Sequence, residues 1–482
     1  MSQGLILLII FVIMLMFMFN GSSVFSSMGV TAIIAMLLWL GISFTSQFGN
    51  IAYTQASVNE NQLIAPMFIM MSEFLSQGRV AEDIFAVLNR GVGRFKGGLA
   101  ISTTLACTIF AALCGSSPAT AASIGRISIT EMTKRGYDPG FAVGTVAAGG
   151  TLGILIPPSI TFCLYGILTE TSIVQLLMAG IIPGLLLSAL IILSIVIRVR
   201  ISPNLLDCLK KESCEELPAD IGIKEAREIV SIAKAQAEEE RGIKAASKAA
   251  NQASVRTLQQ KDDKGATLFT IIPAIILIFV VLGSMYFGFA TPIEAAGYGV
   301  IGSLIIVSAQ HRLTKKIFST VMLNTARTGT MMIFLMICGY TMTYVISYLG
   351  ISQTIATAIG GSGLSKYVIL LLLTVLWFVL GCLMDPASML ILTIPFLHKA
   401  LMDVGFNSVH IGVLSVMAAQ IAMITPPVGM NLFVLKANSN VSMGAIIKGA
   451  IPYVLILFVG YVILALIPDI SLFLPRLSFN VR

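Results

Sequence analysis

Charged side chains are scarce in this 482-residue chain: Asp, Glu, Lys and Arg make up 11% of it, against 56% apolar residues. A water-soluble domain carries roughly 25% charged residues, so a chain this poor in charge is solvated mainly by lipid. Its mean hydropathy of +0.93 agrees. The alternating segments of roughly ten residues that build a closed membrane β-barrel are missing too, which leaves an all-α polytopic bundle. Of the seven cysteines, Cys107, Cys114, Cys163, Cys338 and Cys382 lie inside apolar runs, and no spacing defines a disulfide framework or metal cluster. The three histidines, His311, His398 and His410, share no metal spacing either. Enzyme signatures are absent: no Gly-x-x-x-x-Gly-Lys-Ser/Thr loop, no Gly-x-Ser-x-Gly elbow, no His-Glu-x-x-His. The net charge of +7 is modest and fits basic cytoplasmic loops, not nucleic-acid binding. No basic residue precedes the first apolar run, Leu5 to Phe19, so it reads as a retained span and not a secretory leader. The 24 methionines read as lipid-facing and packing side chains.

What the chain does have is a duplication. Pro157-Pro158 and Pro426-Pro427 lie 269 residues apart, and the same offset aligns Gly136-Tyr137 with Gly405-Phe406 and Gly180-Ile-Ile-Pro183 with Gly449-Ala-Ile-Pro452. At an offset of 268, Ser117-Pro118-Ala119-Thr120 falls on Asp385-Pro386-Ala387-Ser388. Apolar halves interrupted by Gly and Pro at matching places point to a secondary transporter with its binding site at the membrane midplane.

Candidate spans cover 4–20, 28–46, 61–76, 141–170, 172–198, 267–289, 291–310, 328–349, 407–435 and 449–468. Two further apolar regions, 98–133 and 366–400, break near their middles and read as re-entrant helical hairpins, because a polar break at depth must face protein or a cavity. Before each lies a less apolar stretch, Gln77 to Gly98 and Gly350 to Ser365, read as a helix along the membrane surface. Basic residues flank the first hairpin (Arg79, Arg90, Arg94, Lys96, Lys134, Arg135), whereas the second repeat has Lys366 and Lys399 in the comparable region and Asp403-Val404 where Lys134-Arg135 stood. Lys436 and Lys448 in turn flank the segment matching the uncompensated Thr169-Glu-Thr171. By the positive-inside rule the halves point in opposite directions, so the repeat is inverted, with both termini outside the cytoplasm.

The chain divides accordingly into N-terminal spans (1–60), a first repeat (61–201), a charged insert (202–266), linking spans (267–327) and a second repeat (328–482). The insert carries helix formers and pairs such as Glu240/Lys244. It reads as a solvated cytoplasmic linker, with a regulatory or docking role as the alternative.

The chemistry concentrates at four breaks. Ser117 is a good N-cap and Pro118 a good first helical residue, so a half-helix should start there. Asp385 and Pro386 repeat that pattern, as do Thr425 and Pro426, while in the first broken span the break precedes Pro157-Pro158. Half-helix N-termini carry partial positive charge and free N–H groups that suit an anion. The candidate anion site is therefore Ser117, Pro118, Ala119, Thr120, Pro158 and Ser159 from one half, with Asp385, Pro386, Ser388 and Pro427 from the other. Unwound carbonyls suit a cation, and Ser116, Ser117, Thr120, Thr151, Thr425 and Asp385 add hard oxygen ligands of the kind sodium (Na+) prefers. The plainer alternative is that Gly/Pro pairs merely kink spans and hydroxyls cap them. Asp385 stands out, because a carboxylate at depth costs about 2.5–3.5 kcal/mol; a cation ligand or substrate contact competes with a helix cap. Glu170 and Glu294 are assigned capping roles, and Arg327, entering an apolar span, snorkels.

Gly115-Ser-Ser-Pro-Ala-Thr-Ala-Ala-Ser-Ile-Gly125, Glu131-Met-x-Lys-Arg-Gly-Tyr-Asp138 and Gly150-Thr-Leu-Gly-Ile-Leu-Ile-Pro-Pro-Ser-Ile160 resemble the large membrane (DctM-like) subunit of TRAP transporters. Ala179-Gly-Ile-Ile-Pro-Gly-Leu-Leu186 onward, Thr291-Pro-Ile-Glu-Ala-Ala296, Met384-Asp385 and Ile424-Thr-Pro-Pro-Val-Gly-Met-Asn431 extend the resemblance across both halves. It implies the ion-transporter superfamily fold and sodium-driven, elevator-type uptake of a small organic anion, such as a C4-dicarboxylate or sugar acid. It further implies a periplasmic substrate-binding protein, a separate small four-span membrane subunit and a bacterial inner-membrane location. Carried over by motif, the sodium sites are Ser116, Ser117, Gly150 and Thr151 in one half and Met384, Asp385, Thr425 and Pro426 in the other. Pro118 departs from the family's frequent Val, which stiffens the tip, and the loop after Arg200 is unusually long. A stand-alone sodium- or proton-coupled dicarboxylate carrier and a non-transporting membrane scaffold are the competing readings.

Overall fold

The computed structural model describes residues 3–206, 268–361, 363–439 and 441–479. The charged insert, with its Glu240/Lys244 pair, lies outside the described residues apart from Ser202 and the 3-10 turn Pro203–Leu206. Among the described residues every regular element is helical, the solution by which an apolar chain satisfies its N–H and C=O groups without water.

The chain opens with α1 (Gln3–Phe19), α2 (Val24–Ala35) and a short α3 (Ser46–Tyr53). The single span expected over 28–46 is interrupted: α2 runs into a π turn, Met36–Leu40, and Gly41, at φ 93°, then redirects the backbone. A residue in that region of φ ends a right-handed helix.

From Ile64 one succession of elements occurs twice. The first comprises α4 (Ile64–Gln77), a short α5 (Val80–Val92), a hairpin of α6 (Gly98–Cys114) and α7 (Ser117–Lys134), an interrupted pair α8 (Pro139–Thr151) and α9 (Ile160–Thr169), and the long α10 (Ile173–Ile201). Two linking helices follow, α11 (Leu268–Tyr286) and α12 (Pro292–Ala309). The second succession is α13 (Lys315–Tyr348), α14 (Ile351–Gly361), a hairpin of α15 (Lys366–Leu383) and α16 (Pro386–Asp403), an interrupted pair α17 (Ser408–Ala422) and α18 (Met430–Asn438), and α19 (Met443–Leu466). A terminal α20 (Asp469–Phe479) packs on α10.

Five of these helices, Ile173–Ile201, Pro292–Ala309, Lys315–Tyr348, Lys366–Leu383 and Met443–Leu466, are long and apolar enough to cross a membrane. The chain is a multi-pass membrane protein. The span expected over 328–349 is the second half of a continuous 34-residue helix, about 50 Å long at 1.5 Å per residue. Arg327 therefore sits exposed near its middle instead of at its entry, and the boundary drawn between 327 and 328 falls inside one element.

Packing follows the duplication. α2 lies along α13 and α12 along α4, while α4 and α13 pack on each other; α4 then touches α6 and α13 touches α16. The innermost helices are α8, buried from Gly140 through Thr151, and α17, buried from Val409 through Ala422. Gly140, Gly144 and Gly449 let the backbones of α8 and α19 meet with no room for a side chain, the close approach that small residues at four-residue spacing allow between apolar helices. Glu294 closes a capping box with Thr291 at the start of α12, and Glu170, in a left-handed turn at φ 54°, is the C-cap residue of α9, as their assigned roles require.

Candidate functional site

The first hairpin turns at Gly115, at φ +64°, and Ser116, in extended conformation. Ser116, not Ser117, is the N-cap of α7, so Ser117 is the first helical residue and Pro118 the second. The expectation was off by one, and Pro118 still sits where its missing N–H costs nothing. The Ser116 carbonyl accepts from Thr120 N (3.1 Å) and Thr120 Oγ1 (2.8 Å). Ser117 and Thr120 are buried; Pro118 and Ala119 are half-buried.

This tip docks on the interruption between α8 and α9. α8 gives way to a 3-10 turn, Leu152–Ile154, and an irregular, bent stretch that contains Pro157 and Pro158 before Ser159, in extended conformation, caps α9. The Ser159 hydroxyl accepts from Phe162 N (3.3 Å) and donates to Ile154 O (2.5 Å). The fit leaves no spare volume. A Cβ on Gly153 would lie 2.6 Å from Ser116 O and 2.7 Å from Thr120 Oγ1, one on Gly115 would lie 2.5 Å from Pro158 O, and one on Gly150 would lie 2.7 Å from Ala121 Cβ.

The second hairpin builds the same unit with a carboxylate in it. Met384 and Asp385 are extended, and Asp385 caps α16, accepting from Ser388 N (3.1 Å) and from the Ser388 hydroxyl. Among the described residues these are the only hydrogen-bond partners of the carboxylate. Its tip docks on the second interruption: Cys382 Sγ approaches Ala422 O (3.9 Å) and Pro426 O (3.7 Å), and a Cβ on Gly381 would meet Ala422 Cβ at 2.7 Å. Thr425 and Pro426 do not start a half-helix. Thr425 Oγ1 donates back to Ile421 O (2.7 Å), α18 begins at Met430, and Gly429, at φ +61°, occupies the cap position. The left-handed Gly429 delays the restart that Thr-Pro alone would have begun. Pro426 and Pro427 are exposed, in contrast to the buried Pro157 and Pro158; both Pro-Pro bonds are cis.

Two buried side chains join the units. Asn431, at the start of α18, donates Nδ2–H to Ser117 Oγ (2.7 Å), and Gln420, in the last turn of α17, donates Nε2–H to Thr151 Oγ1 (3.0 Å). The exchange is reciprocal at the helix level: α18 packs on α7, and α9 packs on α16. Sequence reasoning missed both amides. The available signals were a glutamine inside an apolar helix, 269 residues from Thr151, and an asparagine closing the Thr-Pro-Pro motif.

Two cavities lie near this core. An apolar cleft of about 280 Å³ between α1, α13 and the second hairpin has Thr393 as its lone polar side chain and nothing to hold an anion. A wetter cleft of about 660 Å³ opens between the end of α7 and the α18–α19 turn, lined by Thr130, Thr133, Lys134, Asn438, Ser439 and Ser442. The histidines do other work: His398 bonds Ser408 Oγ (2.9 Å) and His410 bonds Ser471 Oγ (2.8 Å).

Residues 11–470 match the family model described as "Tripartite ATP-independent periplasmic transporter, DctM component". The chain belongs to this DctM family. It is 31% identical over 451 residues to the C4-dicarboxylate TRAP transporter large permease protein DctM of Pseudomonas aeruginosa, covering 93% of this chain and 94% of that one. It is 30% identical to the protein of the same name from Vibrio cholerae, covering 97% of each. Among solved structures, MtrF of Neisseria gonorrhoeae, described as one of a class of antimetabolite efflux pumps, superposes with a TM-score of 0.55 at 12% identity. That likeness covers 91% of this chain and 85% of MtrF and concerns the fold alone. As a DctM-family permease component, the chain is part of a transporter and not an enzyme.

Proposed function

We propose that this chain is the large permease of a sodium-coupled tripartite importer of a small organic anion. It works in a bacterial inner membrane with a small four-span membrane subunit and a periplasmic binding protein that delivers the substrate. The observation that carries the reading is the pair of tip-on-break units joined by Ser117–Asn431 and Thr151–Gln420. Polar side chains of two interrupted segments, bonded to each other at full burial in an apolar bundle, are a costly arrangement that an inert scaffold has no use for.

In this reading the successions are inverted repeats, α6/α7 and α15/α16 are re-entrant hairpins, and each tip with its facing break holds one sodium ion as cargo. Ser116, Ser117, Gly150 and Thr151 serve one ion; Met384, Asp385, Thr425 and Pro426 serve the other. The first turns of α7, α9 and α16 then face the anion, with Ser117 to Thr120 and Ser159 on one side and Asp385, Pro386 and Ser388 on the other; the hydroxyls and the non-proline N–H groups donate, while Pro158 and Pro427 line the site. The half-exposed Asp385 carboxylate repels an anion until a cation neutralises it. Sodium therefore binds first and the anion second, and the loaded hairpin unit moves past the α2–α4–α12–α13 frame as an elevator. The relatives named for C4-dicarboxylates make that class the first substrate to test.

The test is uptake of labelled succinate, then of sugar acids, into liposomes holding both membrane subunits with the binding protein outside. Uptake that requires an inward sodium gradient and the binding protein supports the proposal; uptake indifferent to either overturns it.

A further inference from the structure

Ser117 and Thr151 both belong to the first candidate ion site, and both are held by amides from the second repeat. Asn431 and Gln420 are fully buried. The Thr151 hydroxyl donates to Ala148 O (2.7 Å), so its oxygen accepts from Gln420, which turns Gln420 Oε1 away from Thr151. Gln420 Oε1 and Asn431 Oδ1 are each buried without a hydrogen-bond partner among the described residues. Bare buried acceptors are rare and demand a reason. The same two residues also border the second break. Gln420 lies three residues before Met423, and the backbone N–H of Asn431 donates to Met423 O (3.1 Å), closing the loop Met423–Met430 on itself. Gln420 is moreover the 269-residue equivalent of Thr151, so the two repeats touch at corresponding positions.

We propose that Gln420 and Asn431 are positioning residues that couple the two sodium sites, so that filling the first favours filling the second. The inference rests on the sodium reading given above. A cation at the first site draws on the Ser117 and Thr151 lone pairs that the amides now hold. Each amide then turns its spare carbonyl oxygen toward the positive charge, and the turn resets the Met423–Pro427 backbone where the second site forms. Such coupling is reciprocal, so the second ion tightens the first to the same degree.

The experiment titrates sodium, exchanged for potassium at constant ionic strength, against the thermal unfolding midpoint of the full-length chain purified with its small membrane subunit. Ion binding stabilises the folded chain by RT ln(1 + c/Kd) per independent site, where c is the sodium concentration. The midpoint therefore rises with the logarithm of sodium, and a two-site fit of that rise returns the affinities, from which occupancy and its Hill coefficient follow. The native protein is expected to give a Hill coefficient of about 1.5–2. Asn431→Leu and Gln420→Met, close in volume to the native residues, are expected to lower it to about 1 and raise half-saturating sodium at least about fivefold. Their midpoints without sodium stay near that of the native protein. If either variant fails to purify as a monodisperse protein, Asn431→Ala and Gln420→Ala are read by the same criteria. Variants that keep the native Hill coefficient, or whose sole change is a lower midpoint without sodium, overturn the coupling role, as does a native coefficient of 1. A native protein that does not respond to sodium overturns the sodium reading itself, which is a separate result.

Discussion

Asp385 is where charge and geometry compete most directly. Its carboxylate caps α16 through Ser388, so a purely structural role is satisfied by any good N-cap. Asn caps as well as Asp does but carries no charge. Asp385→Asn should therefore leave the unfolding midpoint nearly unchanged while raising half-maximal sodium for uptake about tenfold, the loss of roughly 1.4 kcal/mol of cation binding. Asp385→Ala should add a stability loss of about 1 kcal/mol for the missing cap. An Asn variant with native sodium dependence would reduce Asp385 to a cap.

Elements, more than single residues, set the accuracy of the site. Gly153 brings the tip of the first hairpin onto the first break, and its missing Cβ is the space that Ser116 O and Thr120 Oγ1 occupy. Gly153→Ala should lift the tip, abolish most uptake and cost about 1–3 kcal/mol through overpacking. Gly283→Ala in α11, where the nearest atom to a new Cβ is 3.9 Å away, should do neither. Melting and uptake of the two variants side by side check this. A second joint ties the linking helices to α5: Arg312 makes paired hydrogen bonds to Asp83 (2.7 and 3.0 Å) and one to Gly78 O (2.8 Å). Asp83 is 7% exposed. Arg312→Ala strands a buried carboxylate and should cost about 3–5 kcal/mol, more than the double replacement with Asp83→Ala; a double-mutant cycle measures the difference.

At the scale of the whole molecule, what could be read from the sequence was what local chemistry dictates. The turns within both helix pairs and both interruptions follow from Gly, Pro and N-cap residues, whose effect reaches only a turn or so along the chain, and the structure has those turns and breaks in place. The family followed from the same motifs. The restart after Thr425-Pro426 was misplaced because Gly429, four residues on, adopts the left-handed turn that governs where α18 begins. The length of α13 escaped because Lys315 to Arg327 is polar enough to read as a loop, yet it packs along α4 and continues the helix. Gln420 and Asn431 were missed for a deeper reason: their partners are 269 and 314 residues away, and no periodicity within one segment reports such a contact.

The proposed inverted repeat places the far ends of the two hairpins on opposite sides of the membrane. Lys134 and Asp403 mark those ends, are exposed, and correspond at the repeat offset of 269. In a cysteine-free background, Lys134→Cys and Asp403→Cys are each treated with a membrane-impermeant maleimide in intact cells and after permeabilisation. The antiparallel arrangement predicts that Cys at 403 is labelled in intact cells and Cys at 134 only once the membrane is opened. Labelling of both from one side would contradict it.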